Sequence, residues 1–375
     1  MGVSRGYHRA FFHDFVVDSS CNTTAYWIQI FNVRELRRVL SVTDMEYTFL
    51  GNTGLEISRL CLGCGGFAAS DEWDWTVADR AESVDTIRHA RDAGITFLDT
   101  ANVYSRGESE EVVGEAIAGE RDEYVIASKV GEPLAAEPNR RGLSRRHIFE
   151  QIDETLERLD TSYLDLYYAH QWDYRTPITE TLSAFDQLLE DGRVRYIGAS
   201  NLASWNLTRA LYESDAHHFE RFVAIQPEYS LIRRHEEENL LPVAEQHGLG
   251  VVPYSPLASG FLTGQYDRTM DRTELRADGE SWRDLGSFAT EENWTVLDIV
   301  REIADRENAT PVQVSLAWLL EKDIVDAPII GAQTPEQIDE AVGAVDISLR
   351  EDDIARLEEP ITPQWSRSMV ASAQW

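Results

Sequence analysis

Eight short apolar runs alternate with amphipathic segments from about residue 59 onward, and this alternation limits the possible folds more than any other feature. The runs are Leu60–Cys64, Thr96–Asp99, Tyr124–Lys129, Leu164–His170, Val194–Ala199, Phe222–Gln226, Val251–Tyr254 and Ala327–Ile330. Such alternation is typical of βαβ units, in which helices connect parallel strands. Eight strands of this kind predict an α/β fold, a closed (β/α)8 TIM barrel, and a doubly wound open sheet is the alternative.

The segments between the runs carry the period of helices. Several of them end at a glycine with the next run close behind, as at Gly94, Gly192 and Gly248, and glycine is favoured just after a helix. An extra helix is expected after the barrel. The predicted helices include Ala78–Ala93, Ser144–Leu159, Ile178–Asp191, Glu236–His247 and Pro335–Ala344.

Residues 1–44 differ from the rest because they show no sustained helix or strand period. A regular pattern begins at Met45, where residues 47–50, a Gly-Asn-Thr-Gly turn and residues 55–57 predict a β-hairpin. We therefore expect a single domain over residues 45–375. Residues 1–44 are expected to be a disordered or dispensable extension, or an upstream stretch wrongly joined to the reading frame, and a functional arm is the alternative.

The formal net charge of −32 excludes nucleic acid as an expected partner, because such a surface repels phosphate. Lys129 and Lys322 are the only lysines, so arginine supplies nearly all the positive charge. Excess carboxylate with little lysine is typical of proteins from salt-loving organisms, since molar salt screens repulsion. An ordinary acidic protein from a GC-rich genome is the alternative. No apolar stretch reaches the 18 residues of a membrane span, so a cytoplasmic protein is expected.

Four ionisable residues follow three consecutive predicted strands. Asp99 ends the second run, Lys129 the third and His170 the fourth, and Tyr104 lies in the loop after Asp99. Catalytic groups of such barrels lie at the C-terminal strand ends, so we expect these four side chains to converge at one mouth. They suit proton donation to a carbonyl oxygen as a hydride arrives at its carbon.

Each of the four residues has a role in this prediction. Tyr104 is the expected general acid, and the ammonium of Lys129 is expected to lower the pKa of its phenol. Asp99 is expected to pair with Lys129, and His170 to orient the carbonyl. The position of Lys129 supports its role, because a chain with almost no lysine has one at a strand end where arginine cannot replace it.

These residues and their order resemble the aldo-keto reductase family over about Met45 to Leu357, most closely bacterial and archaeal members related to the potassium-channel β-subunit branch. The similarity includes the segments Gly198–Asn201, Tyr254–Gly260 and Pro328–Gln333. It implies a catalytic tetrad of Asp99, Tyr104, Lys129 and His170, NADP(H) as cofactor and a small carbonyl or alcohol as substrate. It implies cofactor contacts at Gly66, Ser200, Asn201, Gln226, Tyr254, Ser255, Leu257, Ala258, Gly260, Arg276, Gly331, Gln333, Gln337 and Glu340.

Two departures from the family pattern leave NAD(H) open as the cofactor. The chain has Gln265 where many relatives carry a phosphate-binding lysine, and Arg276 is the candidate to replace it. It has Ala341 after Glu340 where relatives often have asparagine. Apolar residues expected near the substrate are Phe67, Trp73, Trp75, Trp172 and Trp282.

Three other functions are weighed against this one. Residues 63–68 fit the glycine pattern of a Rossmann dehydrogenase, but a loop-like segment rather than an apolar helix follows them. A metal-dependent barrel hydrolase needs ligand histidines after the first strand, where there are none, and we predict no metal site. A redox-sensing or regulatory subunit that binds NADPH and turns over slowly stays open, because such relatives keep the tetrad. The sequence does not indicate an oligomeric state.

Overall fold

Eight parallel strands form the main sheet of the protein, and an antiparallel hairpin precedes them. The computed structural model describes residues 45–68, 79–135, 137–269, 288–361 and 363. The hairpin strands are β1 (Tyr47–Phe49) and β2 (Glu56–Ser58). The sheet consists of β3 (Cys61–Gly63), β4 (Phe97–Asp99), β5 (Val125–Val130), β6 (Leu164–Ala169), β7 (Val194–Ser200), β8 (Ala224–Gln226), β9 (Gly250–Val251) and β10 (Ile329–Ile330).

Backbone hydrogen bonds close the sheet into a barrel. Strand β10 pairs with β3, and the order continues through consecutive strands to β9. On the other side of β10, the Ile329 N–H donates to the Pro253 carbonyl at 2.8 Å. The Asp326 N–H donates to the Val251 carbonyl at 2.9 Å. The two edges are thereby joined, so the predicted (β/α)8 barrel is confirmed and the open sheet is wrong.

Side chains along each strand alternate between the barrel interior and the helix layer. Phe97 and Ala127 belong to the interior apolar cluster. Leu98 and Ile126 belong to the cluster between sheet and helices. Because residues two apart on a strand share a face, Lys129 points into the barrel with Ala127.

Ten α-helices lie in the described part of the chain, most of them between successive strands. Several begin at side chains that cap the helix, such as Asp79, whose carboxylate accepts from the Ala81 N–H at 2.8 Å. The helices are α1 (Arg80–Asp92), α2 (Glu108–Ala116), α3 (Arg145–Arg158), α4 (Ile178–Glu190), α5 (Ser204–His217), α6 (Leu241–His247), α7 (Glu291–Glu307), α8 (Pro311–Leu320), α9 (Pro335–Val342) and α10 (Glu351–Glu358).

The predicted helix over Glu236–His247 is only partly correct. A 3-10 turn occupies His235–Glu238, and α6 begins afterwards at Leu241. Pro242 explains the break, because proline has no N–H to donate and is tolerated only in the first turn of a helix.

The predicted hairpin is confirmed, and it covers the N-terminal end of the barrel. Leu50 and Ile57 pack into the interior cluster. The turn approaches the start of β9 so closely that a Cβ on Gly51 would lie 2.3 Å from the Gly250 nitrogen. Gly51 also has a φ of +50°, so this position favours glycine twice over. The hairpin does not cover the opposite, C-terminal end of the barrel, where a functional site is expected.

The extra C-terminal helix is α10, and a buried arginine fastens it to the barrel. Arg234 donates to the backbone oxygens of Glu358 at 3.1 Å and Ile361 at 3.0 Å. Trp318 donates to the Glu358 carboxylate at 2.9 Å. These bonds hold the end of α10 beside the loop that follows β8.

The glycine-rich segment 63–68 does not open a helix. It ends β3, forms a 3-10 turn over Cys64–Gly66 and continues as extended backbone at Phe67. The Rossmann alternative is therefore wrong, because its phosphate site is the start of a helix at such a segment. Within the described residues, no helix is long and apolar enough to cross a membrane.

Candidate active site

Lys129 is the centre of a hydrogen-bonded group at the C-terminal end of the barrel. Its side chain is fully buried, and its ammonium donates to the carboxylate of Asp99. The same nitrogen donates to the Thr100 carbonyl at 2.9 Å and to the Tyr104 hydroxyl at 3.0 Å. Three acceptors match the three N–H groups, so the buried charge is paired and fully hydrogen-bonded.

Asp99 is held on its other side by Gln226. The Gln226 amide donates to Asp99 Oδ2 at 2.8 Å, and both side chains are buried. The carboxylate therefore receives one bond from an amide and one from an ammonium, which fixes its orientation. Sequence reasoning assigned Gln226 to the cofactor and missed this contact, because the two residues are 127 positions apart.

Tyr104 and His170 meet edge to face above this group. Their ring centres are 5.9 Å apart with an interplanar angle of 87°. His170 Nδ1 is buried and has no hydrogen-bond partner among the described residues. Both rings line the same cleft, so a polar group entering it meets a phenol and an imidazole together.

Burial is the largest single influence on the pKa of each of these groups. It raises the pKa of Tyr104 above its usual value of 10, and the nearby charge of Lys129 offsets this only in part. It lowers the pKa of His170 well below its usual range, and Lys129 lowers it further. Burial also lowers the pKa of Lys129, but Asp99 and Tyr104 together raise it above 10.5. At neutral pH the site thus holds a phenol, a neutral imidazole and an ammonium.

This result changes one expectation. The sequence predicts that Lys129 lowers the pKa of Tyr104, and the ammonium does act in that direction. The net pKa shift is nevertheless upward. Removal of the phenolate from water destabilises it more than the neighbouring charge of Lys129 stabilises it.

A cleft of about 800 Å³ runs from these residues across the mouth of the barrel. This volume lies in the range of sites for small molecules and cofactors. Asp99, Tyr104 and His170 line it, while Lys129 lies behind them. Of the predicted cofactor residues, those that line the cleft are Gly66, Ser200, Asn201, Gln226, Tyr254, Ser255, Leu257, Gly260, Gly331, Gln333, Gln337 and Glu340.

Hydrogen bonds hold the polar groups beside His170. Asn201 donates to the His170 carbonyl at 2.8 Å and accepts from the Tyr254 hydroxyl at 2.9 Å. Ser200 donates to the Gln226 carbonyl at 2.8 Å. The aromatic ring of Tyr254 and the amide of Asn201 are thereby fixed on one side of the cleft.

A strained turn forms the next part of the cleft wall. Ser255, Ala258 and Ser259 have φ values of 53°, 49° and 54°, although none is glycine, and Gly260 follows at 93°. Left-handed backbone at non-glycine residues is concentrated at functional sites. Such a turn after right-handed backbone can direct successive N–H groups at one anion. Its backbone form therefore makes this turn a candidate site for a phosphate group, although the Ala258 and Gly260 N–H groups already donate to carbonyls within the turn.

The far end of the cleft is polar and lacks a described cation. Gln337 accepts from the Gln333 N–H at 2.7 Å, and Glu340 lies one turn further along α9. No lysine or arginine is among the lining residues that the structure describes. A Cβ on Gly66 would lie 2.4 Å from the end of the Gln333 side chain, so Gln333 would have to move if Gly66 carried a side chain.

Several predicted residues do not reach the cleft. Ala258 and Phe67 are fully buried and do not line it. Trp172 is half-buried and packs against Trp205, with ring centres 6.5 Å apart. Outside the described residues lie Arg276, Trp73, Trp75 and Trp282.

Sequence reasoning missed an apolar wall of the cleft. It comprises Val312 and Leu316, one turn apart on α8, with Ile329 and Ile330 of β10. In the sequence these residues only follow a helical or strand period. That period does not distinguish residues that line a cleft from residues that pack in a core. No cluster of three histidine, cysteine or acidic side chains suited to a metal ion occurs in the described chain.

Comparison with known proteins identifies the family. Residues 60–361 match the model of the aldo/keto reductase family. This chain belongs to the aldo/keto reductase family. It is 35% identical to the versiconal hemiacetal acetate reductase of Aspergillus parasiticus, covering 85% of this chain and 98% of that protein.

The names of other relatives point to different roles. An uncharacterized oxidoreductase of Bacillus subtilis, YrpG, is 38% identical over 85% of this chain and 96% of its own. A putative voltage-gated potassium channel subunit beta of Schizosaccharomyces pombe is 38% identical over 81% of this chain and 89% of its own. The predicted likeness to the channel-subunit branch is confirmed.

Proposed function

We propose that this aldo/keto reductase reduces an aldehyde or ketone to an alcohol, with Tyr104 as the general acid. The observation that carries the proposal is the contact of the Tyr104 hydroxyl with the buried ammonium of Lys129 at 3.0 Å, beside His170 in the cleft. A phenol that can give up its proton next to a fixed positive charge is suited to neutralise a developing alkoxide.

When bound, a nicotinamide coenzyme would supply the hydride that the carbonyl carbon receives. Tyr104 donates its proton to the carbonyl oxygen, so the product is an alcohol and the tyrosine becomes a phenolate. Lys129 stabilises that phenolate, and Asp99 holds the ammonium in place. Neutral His170 presents an imidazole N–H toward the carbonyl oxygen, and solvent returns the proton to Tyr104.

The residues proposed to hold the coenzyme follow the length of the cleft. Ser200, Asn201 and Gln226 suit the carboxamide, and the ring of Tyr254 suits stacking on the nicotinamide. The left-handed turn over residues 255–260 suits the pyrophosphate. Gln333, Gln337 and Glu340 suit the adenosine.

We propose NADP(H) as the coenzyme, with a weak preference over NAD(H). The family resemblance favours NADP(H), but the described lining offers its 2′-phosphate no cation. Since a hydrogen bond to a charged group contributes about 1.5–3 kcal/mol, its absence predicts Kd values within about tenfold of each other. Fluorescence titration with each coenzyme measures the ratio. A hundredfold preference that disappears in Arg276→Met would contradict the prediction and identify Arg276 as the missing cation.

The central proposal is tested with Tyr104→Phe. This change removes the proton and keeps the ring, so we expect carbonyl reduction to fall at least about a thousandfold, within the range of general-acid effects. Coenzyme affinity should stay within about threefold, because the hydroxyl does not contribute to the far end of the cleft. Steady-state assays on a panel of aldehydes and coenzyme titrations provide both readings. Retained turnover overturns the role of Tyr104.

The second candidate is a redox-sensing or regulatory subunit that binds NADPH and turns over slowly. The 38% identity to a putative potassium channel subunit beta favours it. Turnover near one equivalent on every carbonyl tested, together with tight coenzyme binding, would support this alternative. A cytoplasmic location and adaptation to high salt also belong to the proposal, the latter on the strength of the net charge of −32.

A further inference from the structure

The loop that carries Tyr104 has an unfavourable backbone. The three residues that follow Tyr104, namely Ser105, Arg106 and Gly107, have φ values of 45°, 57° and 98°. Two of them carry a side chain, for which left-handed backbone is rare, so the surrounding structure must impose it.

One face of α3 contacts the loop on both sides of Tyr104. Gln151 and Arg158 lie seven residues apart on α3, which places them on the same face. Before Tyr104, the buried Asn102 amide donates to Gln151 Oε1 at 2.8 Å. After Tyr104, the Arg158 side chain lies on Gly107, where a Cβ would be 2.7 Å from Arg158 Cδ.

The same arginine connects the loop to the strand that carries Lys129. Arg158 Nε donates to Glu110 at 2.6 Å, and the other oxygen of Glu110 accepts from Ser128 at 2.5 Å. Glu110 and Ser128 are fully buried. Ser128 precedes Lys129 on β5, so one carboxylate joins the helix after the Tyr104 loop to the strand of Lys129.

We propose that Gln151 and Arg158 are positioning residues that hold the Tyr104 hydroxyl against Lys129. Neither lines the cleft, and each acts through a contact with the loop. This inference rests on the proposed function, since it takes Tyr104 to be the general acid. It requires that loosening α3 from the loop slows the proton transfer while coenzyme binding stays intact.

The variants Gln151→Leu and Arg158→Met remove the two contacts one at a time. We expect kcat for carbonyl reduction to fall about 10- to 100-fold in each, because small displacements of a reacting group are costly. Coenzyme Kd should change less than twofold. Arg158→Lys keeps a charge for Glu110 and should recover part of the kcat. The matched control is Arg146→Met, which removes an exposed arginine of α3 that pairs with Glu150.

A second readout does not depend on activity. Hydrogen–deuterium exchange of the amides of residues 102–107 should quicken in Gln151→Leu and Arg158→Met and stay unchanged in Arg146→Met. If Arg158→Met does not fold, Gln151→Leu and Arg158→Lys still provide both measurements.

The outcomes separate this inference from the proposed function. A wild-type protein that reduces no carbonyl overturns the proposed function, and exchange at residues 102–107 then decides whether α3 holds the loop. An active wild type whose Gln151 and Arg158 variants lose only thermal stability, with kcat within twofold, overturns the positioning role. Unchanged exchange at residues 102–107 overturns it as well.

Discussion

At the scale of single residues, the environment of Tyr104 selects the protonated phenol. Burial disfavours the phenolate, and Asp99 acts in the same direction, while Lys129 opposes both. The proposed carbonyl reduction begins from the phenol, so this balance would keep the general acid protonated at neutral pH. In that proposal Lys129 acts mainly after proton transfer, because its ammonium lies 3.0 Å from the oxygen that would become the phenolate.

This balance predicts the pH profile of carbonyl reduction. Because the pKa of Tyr104 is raised above 10 and His170 stays neutral, kcat should be constant from about pH 6 to 9 and fall only at higher pH. The profile is measured with saturating coenzyme at fixed salt. His170→Gln should lower the rate without moving the alkaline limb. A limb between pH 6 and 8 in the wild type would show that another group controls the proton.

At the scale of elements, the hairpin is joined to the barrel through a partly buried carboxylate. Asp326 accepts from the Gly51 N–H of the turn at 2.9 Å and from the Val251 N–H of β9 at 3.2 Å. Burial raises its pKa to about 6, although both N–H groups and Arg59 act to lower it. The folded protein therefore binds this proton more tightly than the unfolded chain does.

Replacement of Asp326 tests this effect on stability. Since the folded pKa of about 6 exceeds the ordinary 3.8, ionisation of Asp326 destabilises the fold as pH rises through this window. Asp326→Asn keeps an acceptor for both N–H groups without the charge. We expect its free energy of unfolding to exceed that of wild type by up to about 3 kcal/mol at pH 7.5. The difference should vanish near pH 4.

Chemical denaturation at both pH values measures the difference for Asp326→Asn. Asp323→Asn removes an exposed carboxylate nearby and controls for the loss of one negative charge. Equal gains from the two substitutions at pH 7.5 would assign the effect to net charge and contradict the prediction for Asp326.

The elements also show what the sequence could and could not predict. The bounds of all eight strands lie within two or three residues of the predicted runs. Short apolar runs between amphipathic helices are typical of buried parallel strands, so they could be predicted from the sequence. The predicted helix over Glu236–His247 is longer than the observed one, because the prediction followed the helical period and did not allow for Pro242. Barrel closure through Ile329 and Pro253 and the contact of Gln226 with Asp99 depend on long-range geometry, which no local pattern encodes.

At the scale of the whole molecule, the balance of charge is the dominant feature. The chain has 66 acidic and 34 basic residues, so 32 carboxylates stay unmatched even if every cation is paired. Arg80 already contacts two carboxylates, Glu111 at 3.1 Å and Glu115 at 2.9 Å. Each such exposed ion pair contributes little to the stability of the fold, so these pairs do not offset the repulsion among the remaining carboxylates.

Salt should therefore stabilise this protein strongly. Repulsion between exposed carboxylates acts over a Debye length of about 10 Å at 0.1 M salt and about 3 Å at 1 M. An unfolding entropy of about 2.1 cal/mol/K per residue means that about 1 kcal/mol shifts Tm by only roughly 1–2 °C in a chain of 375 residues. We expect Tm to rise by about 5 °C or more from 0.1 to 1 M KCl, and activity to rise with it.

Thermal unfolding in a KCl series, with sucrose as the control, separates screening from solute exclusion. Sucrose is excluded from protein surfaces but does not screen charge, so it should stabilise without the steep rise below 1 M. Screening is nearly complete at 1 M, so the KCl effect should flatten above that concentration. A Tm that is the same at 0.1 and 1 M contradicts adaptation to salt. A rise that continues unchanged to 3 M assigns the stabilisation to exclusion of the salt and not to the acidic surface.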